Sequence, residues 1–176
     1  SVSGLIWVVL QAFSSTCSTL VSNMIGEGHQ EKVMSLVKRI LKLSYGIISA
    51  MIIAFCLFPE IIARIYTDIP ELVHASAPAL VVMCSSYFIA VGAQVFFLAV
   101  SGTGSTKTAF RLELVALAIY MLYCSVVIGW IKADIAVCWT AEHVYAGALL
   151  ACSWWYMRSG RWKNRTSPAL RMPMRQ

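Results

Sequence analysis

Residues 75–101, ASAPALVVMCSSYFIAVGAQVFFLAVS, contain no Lys, Arg, Asp or Glu. A helix needs about 20 predominantly apolar residues to cross the hydrocarbon core of a bilayer. This stretch exceeds that length, so it predicts a membrane-spanning helix. The other apolar stretches of the chain are therefore interpreted as segments in contact with lipid.

Four further stretches share this length and apolar character, and they cover residues 1–26, 43–63, 114–131 and 135–157. Across the 176 residues of the chain, 59% are hydrophobic and only 12% are charged, whereas a soluble domain carries about 25% charged residues. We therefore predict an all-α, polytopic membrane helix bundle with about five transmembrane helices. The same composition excludes a soluble globular domain.

The Lys and Arg residues lie almost entirely on one side of the predicted bundle. The connections after the first and third spans, together with the tail at 158–176, hold twelve of the 14, and the two other connections hold one each. Cytoplasmic loops carry such an excess, which places the basic tail in the cytoplasm and residue 1 outside. Because these residues form no single patch and accompany no recognition motif, the net charge of +6 does not indicate a nucleic-acid partner.

Three motifs at the ends of the spans are more specific than composition. STLVSNMIGEG at 18–28 matches the pattern S-T-L-V-x-x-x-x-G-x-G, and SGTGSTKT at 101–108 matches G-x-G-D/S-T-x-T. RSGRWK at 158–163 matches R-S-G-x-W-K after the last span. In this order and spacing, the motifs resemble those of the multidrug and toxic compound extrusion (MATE) family of transporters, over about residues 1–165.

The resemblance implies twelve helices in two bundles of six, of which this chain would supply the second to sixth helices of the C-terminal bundle. The missing N-terminal half would be its partner, an expectation in keeping with a first residue that is Ser and not Met. The resemblance also implies a cation-coupled antiporter in the bacterial plasma (inner) membrane. Such a protein exports small organic compounds, including drugs and other xenobiotics, in exchange for H⁺ or Na⁺, and needs no other cofactor.

Two other functions stay open. A flippase for lipid-linked sugars has a related architecture, but it would favour several cationic residues at membrane depth, and the five predicted spans contain no Lys or Arg. A non-transporting scaffold, or a remnant of a transporter, is the second alternative. We expect no enzyme and no metal site, because no Ser/His/Asp or Cys/His set shares a face and no cluster has metal-ligand spacing.

Glycines mark two of the predicted cytoplasmic turns. Gly26 and Gly28 follow the first span, and Gly102 and Gly104 follow the third. Because Gly tolerates a positive φ, we expect these residues to let the chain leave the membrane sharply. After the first turn, apolar residues at helical spacing over 33–41 predict a short interfacial helix that leads into the second span.

Glu142 and His143 are the ionisable residues that lie clearly within a predicted span. Such groups are costly at membrane depth and indicate a functional site. Glu142 would take up a proton or hold a cation as the transporter changes state; the alternative is a structural carboxyl group that is protonated or bonded to a neighbouring helix. His143 points to a different helix face, where we expect it to be interfacial or paired.

Uncharged polar residues supply the other candidates for substrate contact. Tyr87 and Gln94 are seven residues apart in the third span, so they share a helix face, and Ser86 lies beside Tyr87. Gln11 is a further candidate in the first span. These residues predict a cavity lining that donates hydrogen bonds to a substrate, and hydrogen bonding between helices is the alternative.

One departure from the family pattern concerns the third span. Some MATE relatives carry a carboxylate in the equivalent helix, but residues 72–106 contain none. The resemblance therefore points to an acidic residue of the missing half for the main coupling step.

Cysteine and aromatic residues are expected to be structural. The six cysteines lie in apolar stretches without a C-x-x-C pair, which is typical of small hydrophobic residues inside helices. An aromatic belt at the cytoplasmic end of the last span is predicted from Trp154, Trp155, Tyr156 and Trp162.

Overall fold

The computed structural model describes residues 2–58, 70–131 and 135–163, and within them the chain is helical almost throughout. In chain order, the elements of this described part are α1 (Val2–Gly26), a 3₁₀ turn (Gln30–Lys32), α2 (Val33–Leu57), α3 (Pro70–Gly102), α4 (Thr106–Val126), a π-helical turn (Val127–Ile131), α5 (Ile135–Cys138) and α6 (Thr140–Arg158). Apolar segments form helices in lipid because a helix satisfies its own backbone donors and acceptors.

Three of these helical segments are long and apolar enough to cross a membrane. Within the described residues they cover Gly4–Gly26, Val81–Gly102 and Thr106–Gly129. They confirm the predicted all-α membrane bundle. Helices α2 and α6 contain 25 and 19 residues and pack against these segments. We predict that these two helices also cross the membrane, which would give a total of about five spans.

The helices do not begin where the uncharged runs begin. The predicted interfacial helix and second span form one continuous helix, α2, because no Pro or Gly interrupts residues 33–45. Helix α4 begins at Thr106, eight residues before the predicted fourth span, and the predicted fifth span is divided into α5 and α6. The end of the predicted second span at 59–63, the turn at 132–134 and the tail from 164 onward lie outside the described residues.

Helix α3 lies at the centre of the bundle. It packs most extensively against α6, α1 and α2, and less so against α4, which packs mainly on α6. The buried residues where α3, α4 and α6 meet include Ala93, Ala116 and Ala146. Small side chains at such positions let helix backbones approach closely in a membrane. The centre of the bundle therefore depends on α3, which also carries the polar residues described below.

The outer face of the bundle is apolar. On α4, Leu122 is 69% exposed, and Leu114 and Met121 are exposed as well, whereas the buried positions of this helix are Ala109 and Ala116. Water would make such an apolar surface a site of aggregation or partner binding. Lipid tails cover it without cost, which agrees with the membrane assignment.

The two glycine turns use their glycines in different ways. Gly28 and Gly104 have φ values of 81° and 77°, as predicted for a sharp turn. Gly26 and Gly102 instead end α1 and α3 in ordinary helical conformation, so the prediction of a positive φ was wrong for them. For Gly102 the reason is proximity: a Cβ there would lie 2.5 Å from the carbonyl oxygen of Ser18 on α1.

The aromatic residues at the end of α6 separate into two groups. Trp154 and Trp155 are exposed, and the guanidinium groups of Arg158 and Arg161 lie 5.1 and 5.5 Å from the centres of their respective rings, as expected for an interfacial belt. Trp162 is only 1% exposed, and Tyr156 is also buried. These last two residues belong to the core and not to the predicted belt.

Candidate functional site

A cavity of about 100 Å³ lies between α3 and α6 in the predicted outer half of the bundle. Its walls combine polar, aromatic and small side chains: Trp7, Met83, Ser86, Tyr87, Ala90, Ala93, Gln94, Trp139, Glu142, Tyr145 and Ala146. Four of the five candidates predicted from the sequence therefore line a single space. Whether they act in transport stays a prediction.

Helix periodicity places the polar residues of α3 on this cavity. Tyr87, Ala90 and Gln94 follow one another at three- and four-residue spacing, so they form one face of the helix. Gln94 is 8% exposed, which is a costly position for an amide unless a partner binds it. Ser86 is buried too, and its hydroxyl donates to the carbonyl oxygen of Met83 over 2.7 Å. The alanine at position 90 leaves the space that the cavity occupies.

Glu142 contributes the carboxylate of the cavity. It lies in the first turn of α6, where the helix dipole favours a negative charge. It also borders a second, more open pocket of about 260 Å³ together with Tyr120, Cys138 and Trp139. One side chain thus borders both this cavity and the more open pocket.

A second carboxylate, Glu113, was missed by the sequence reasoning. The hydroxyl of Tyr145 donates a hydrogen bond to Oε1 of Glu113, and Tyr145 also lines the cavity. Tyr120 packs edge-on against Tyr145, with ring centres 5.9 Å apart. Glu113 lies four residues after Ala109 and three before Ala116, the two buried positions of α4. That spacing is the signal in the sequence that would have placed Glu113 on the inner face of α4.

His143 lies on another face of α6, as predicted, and it is paired. Its Nε2 atom is 2.9 Å from Oγ of Ser85 on α3, and the Ser85 hydroxyl donates to the carbonyl oxygen of Val82 over 2.7 Å. Because the single hydroxyl proton is directed at Val82, Nε2 is the donor to Ser85 in this arrangement. Nδ1 is buried and has no hydrogen-bond partner among the described residues.

Gln11 does not line the cavity. Trp7, one turn earlier on the same face of α1, occupies that position instead. The first span therefore contributes an aromatic ring and not an amide to this site. Sequence spacing alone did not distinguish these two residues, because the choice depends on where α1 crosses α3.

The chemistry available at this site is that of hydrogen bonding and of ion binding. It offers one carboxylate, two tyrosine side chains and one amide among aromatic walls. No group of three or more His, Cys, Asp or Glu residues that could hold a metal ion occurs in the described part of the chain.

A bundle with three helices long and apolar enough to cross a bilayer defines a membrane protein. The MatE family model matches residues 1–129, well over half of the chain, and the chain therefore belongs to the MatE family of membrane transporters. This match confirms the family that the motifs indicated. It covers α1 to α4, including Tyr87 and Gln94, whereas Glu142 lies beyond it. No match was found among curated proteins or among solved structures.

Proposed function

We propose that this chain forms the C-terminal bundle of a cation-coupled antiporter that exports small organic compounds. The observation that carries the proposal is the cavity that Glu142, Tyr87 and Gln94 line together. Secondary transporters bind their substrates and coupling ions at the interface of helix repeats near the middle of the bilayer. The bacterial inner membrane and a cytoplasmic C-terminus are part of this proposal.

The lining favours an organic cation as substrate. Glu142 is the acidic side chain of the lining, and no Lys or Arg occurs among the described lining residues. The rings of Trp7, Tyr87 and Trp139 supply aromatic surface, which attracts cations through the negative faces of the rings. A flat cation with apolar substituents would satisfy both the charge and the walls.

The size of the cavity indicates that it is one part of a larger site. Pockets that bury a drug-sized ligand measure about 300–1,000 Å³, and this one holds about 100 Å³. An N-terminal bundle packed against α3 and α1 would supply the remaining wall. We therefore expect only the complete transporter to export a drug-sized substrate.

Glu142 is the proposed site of ion coupling within this chain, where it would act together with the acidic residue that the resemblance places in the missing half. It borders both the cavity and the more open pocket beside Tyr120, and this second pocket would let a proton or Na⁺ reach the carboxyl group from outside the substrate cavity. Binding of the ion would neutralise the carboxylate and release a cationic substrate. The second carboxylate, Glu113, is linked to the same cavity through Tyr145.

A lipid-linked sugar flippase is less favoured. It would require cationic side chains to hold the phosphates, and the described lining has none. The scaffold alternative gives the buried amide of Gln94 and the carboxylate of Glu142 only a structural role, although both groups are costly in an apolar bundle.

Dye efflux in a drug-sensitive bacterial host tests the proposal. One strain expresses this chain, and a second expresses it joined to the protein encoded directly upstream, with ethidium retention measured before and after a proton uncoupler or a sodium ionophore. We expect only the joined protein to lower ethidium retention, and one of the two ionophores to abolish the effect. If the joined protein inserts correctly but moves no dye, multidrug export is wrong and the flippase or scaffold function gains.

A further inference from the structure

A groove of about 200 Å³ lies between the end of α1 and the beginning of α2, at the predicted cytoplasmic end of the bundle. Its lining consists of Met24, Lys32, Ser35, Leu36 and Arg39. We propose that this groove binds the headgroup of an anionic phospholipid, with the phosphate between Lys32 and Arg39. The proposal does not depend on which solute the protein transports.

The groove has an excess of positive charge that the protein does not neutralise. Lys32 and Arg39 are both exposed, and neither forms an ion pair within the described residues. The two acidic side chains before them in the chain are Glu27, which lies 3.5 Å from His29, and Glu31. Lys38 and Lys42 lie on α2, as Arg39 does, and both are also exposed. An anionic ligand is therefore the complement that this surface lacks.

The donors in the groove suit a phosphate. The guanidinium group of Arg39 offers paired N–H donors that match two phosphate oxygens, while Lys32 supplies a compact positive charge. The hydroxyl of Ser35 adds a neutral donor in the same groove. Such charge-assisted hydrogen bonds are stronger than those between neutral groups.

The apolar surroundings favour a lipid over a free phosphate. Leu36, Arg39 and Leu43 follow one another at three- and four-residue spacing, so they lie on one face of α2, and Lys32 precedes that helix at its N-cap. Leu43 is 61% exposed, and it lies about 6 Å beyond Arg39 along the helix axis. A headgroup held by the two cations would therefore continue directly into acyl chains that cover this exposed leucine.

Helix α1 supplies the opposite side of the same path. Met24 lines the groove, and Leu20, one turn deeper in the membrane, is 38% exposed. The groove is thus polar at its predicted cytoplasmic end and apolar towards the centre of the bilayer. Anionic lipids are attracted to basic pockets between helices on the cytoplasmic side of membrane proteins.

Native mass spectrometry of the purified 176-residue chain tests the proposal. The chain, released from detergent micelles, is titrated with phosphatidylglycerol, with phosphatidylcholine of the same acyl chains, and with inorganic phosphate. Two double variants are compared: Lys32→Gln with Arg39→Gln in the groove, and Lys107→Gln with Arg111→Gln at the beginning of α4 as the control. Both pairs of side chains are exposed, so each substitution removes two charges from the same predicted side of the membrane without entering the core.

We expect phosphatidylglycerol to bind more tightly than phosphatidylcholine. Each cation near a charged headgroup contributes about a fivefold change in affinity, so the groove variant should bind phosphatidylglycerol roughly 30-fold more weakly. The control variant should stay within about twofold of the native chain, and inorganic phosphate should not compete. Equal losses in both variants would overturn the proposal in favour of a general charge effect. Competition by inorganic phosphate at the concentration of the lipid would overturn it in favour of a small-anion site.

Discussion

Replacing Gly102 by Ala should separate α1 from α3 and destabilise the bundle. The added Cβ would lie 2.5 Å from the carbonyl oxygen of Ser18 and 2.9 Å from its Cα, whereas ordinary contact begins at 3.4 Å. Both atoms belong to the backbone, so no rotation of a side chain relieves the overlap. The helices must move apart by about 0.9 Å, which also stretches the 2.8 Å hydrogen bond that the Ser22 hydroxyl donates to the carbonyl oxygen of Gly102. Overpacking of this kind costs roughly 1–3 kcal/mol.

Gly46→Ala is the matched control for this substitution. A Cβ at Gly46, within α2, would meet no atom within 4 Å, so the only effect expected is the better helix propensity of Ala, worth up to about 1 kcal/mol. Unfolding of the purified protein in mixed micelles, with increasing sodium dodecyl sulfate and tryptophan fluorescence as the signal, measures both variants. Gly102→Ala should lower the free energy of unfolding by roughly 1–3 kcal/mol while Gly46→Ala leaves it unchanged or raised. Equal stability of the two variants would refute the close crossing of α1 and α3.

Four further substitutions test three separate contacts with the same unfolding measurement. Trp162→Ala should cost about 3–5 kcal/mol, because the ring is 1% exposed; a loss of only a few tenths would mean that Trp162 lies at the surface. Tyr145→Phe removes the donor to Glu113 and should cost about 0.6–1.7 kcal/mol, while Glu113→Gln, which keeps an acceptor oxygen, should cost less; the reverse order would contradict the contact. Tyr156→Phe removes the 3.1 Å hydrogen bond to Oγ of Ser105 and should cost about 1 kcal/mol, and an unchanged stability would show that this bond contributes nothing.

The fold class followed from the sequence because lipid imposes a simple condition on the chain. Any segment such as residues 75–101 that is long, apolar and uncharged has to form a helix in a bilayer. The helix boundaries did not follow, because charge marks where a helix leaves the lipid and not where it ends. Helix α4 extends past Arg111 and Glu113 for this reason and begins at Thr106.

The candidate site was predictable only as far as it depends on one helix at a time. Tyr87 and Gln94 share a face of α3 through their spacing, and both line the cavity. The choice of Trp7 over Gln11 depends on how α1 crosses α3, which spacing within α1 does not determine. The contact between Glu113 and Tyr145 joins residues 32 positions apart, so it depends on the packing of α4 against α6 and could not be read from either helix alone.

Ion flux driven by substrate tests most directly whether Glu142 couples ion movement to export. The proposed complete transporter, formed by joining this chain to the protein encoded directly upstream, is placed in liposomes that contain a dye sensitive to H⁺ or to Na⁺, and ethidium is added on one side. Glu142→Gln is compared with Glu31→Gln, which removes a carboxylate from the exposed 3₁₀ turn before α2. We expect ethidium to drive ion flux in the native protein and in Glu31→Gln, and we expect Glu142→Gln to lose most of this flux. Equal flux in Glu142→Gln and the native protein would contradict the assignment of this cavity as the coupling site.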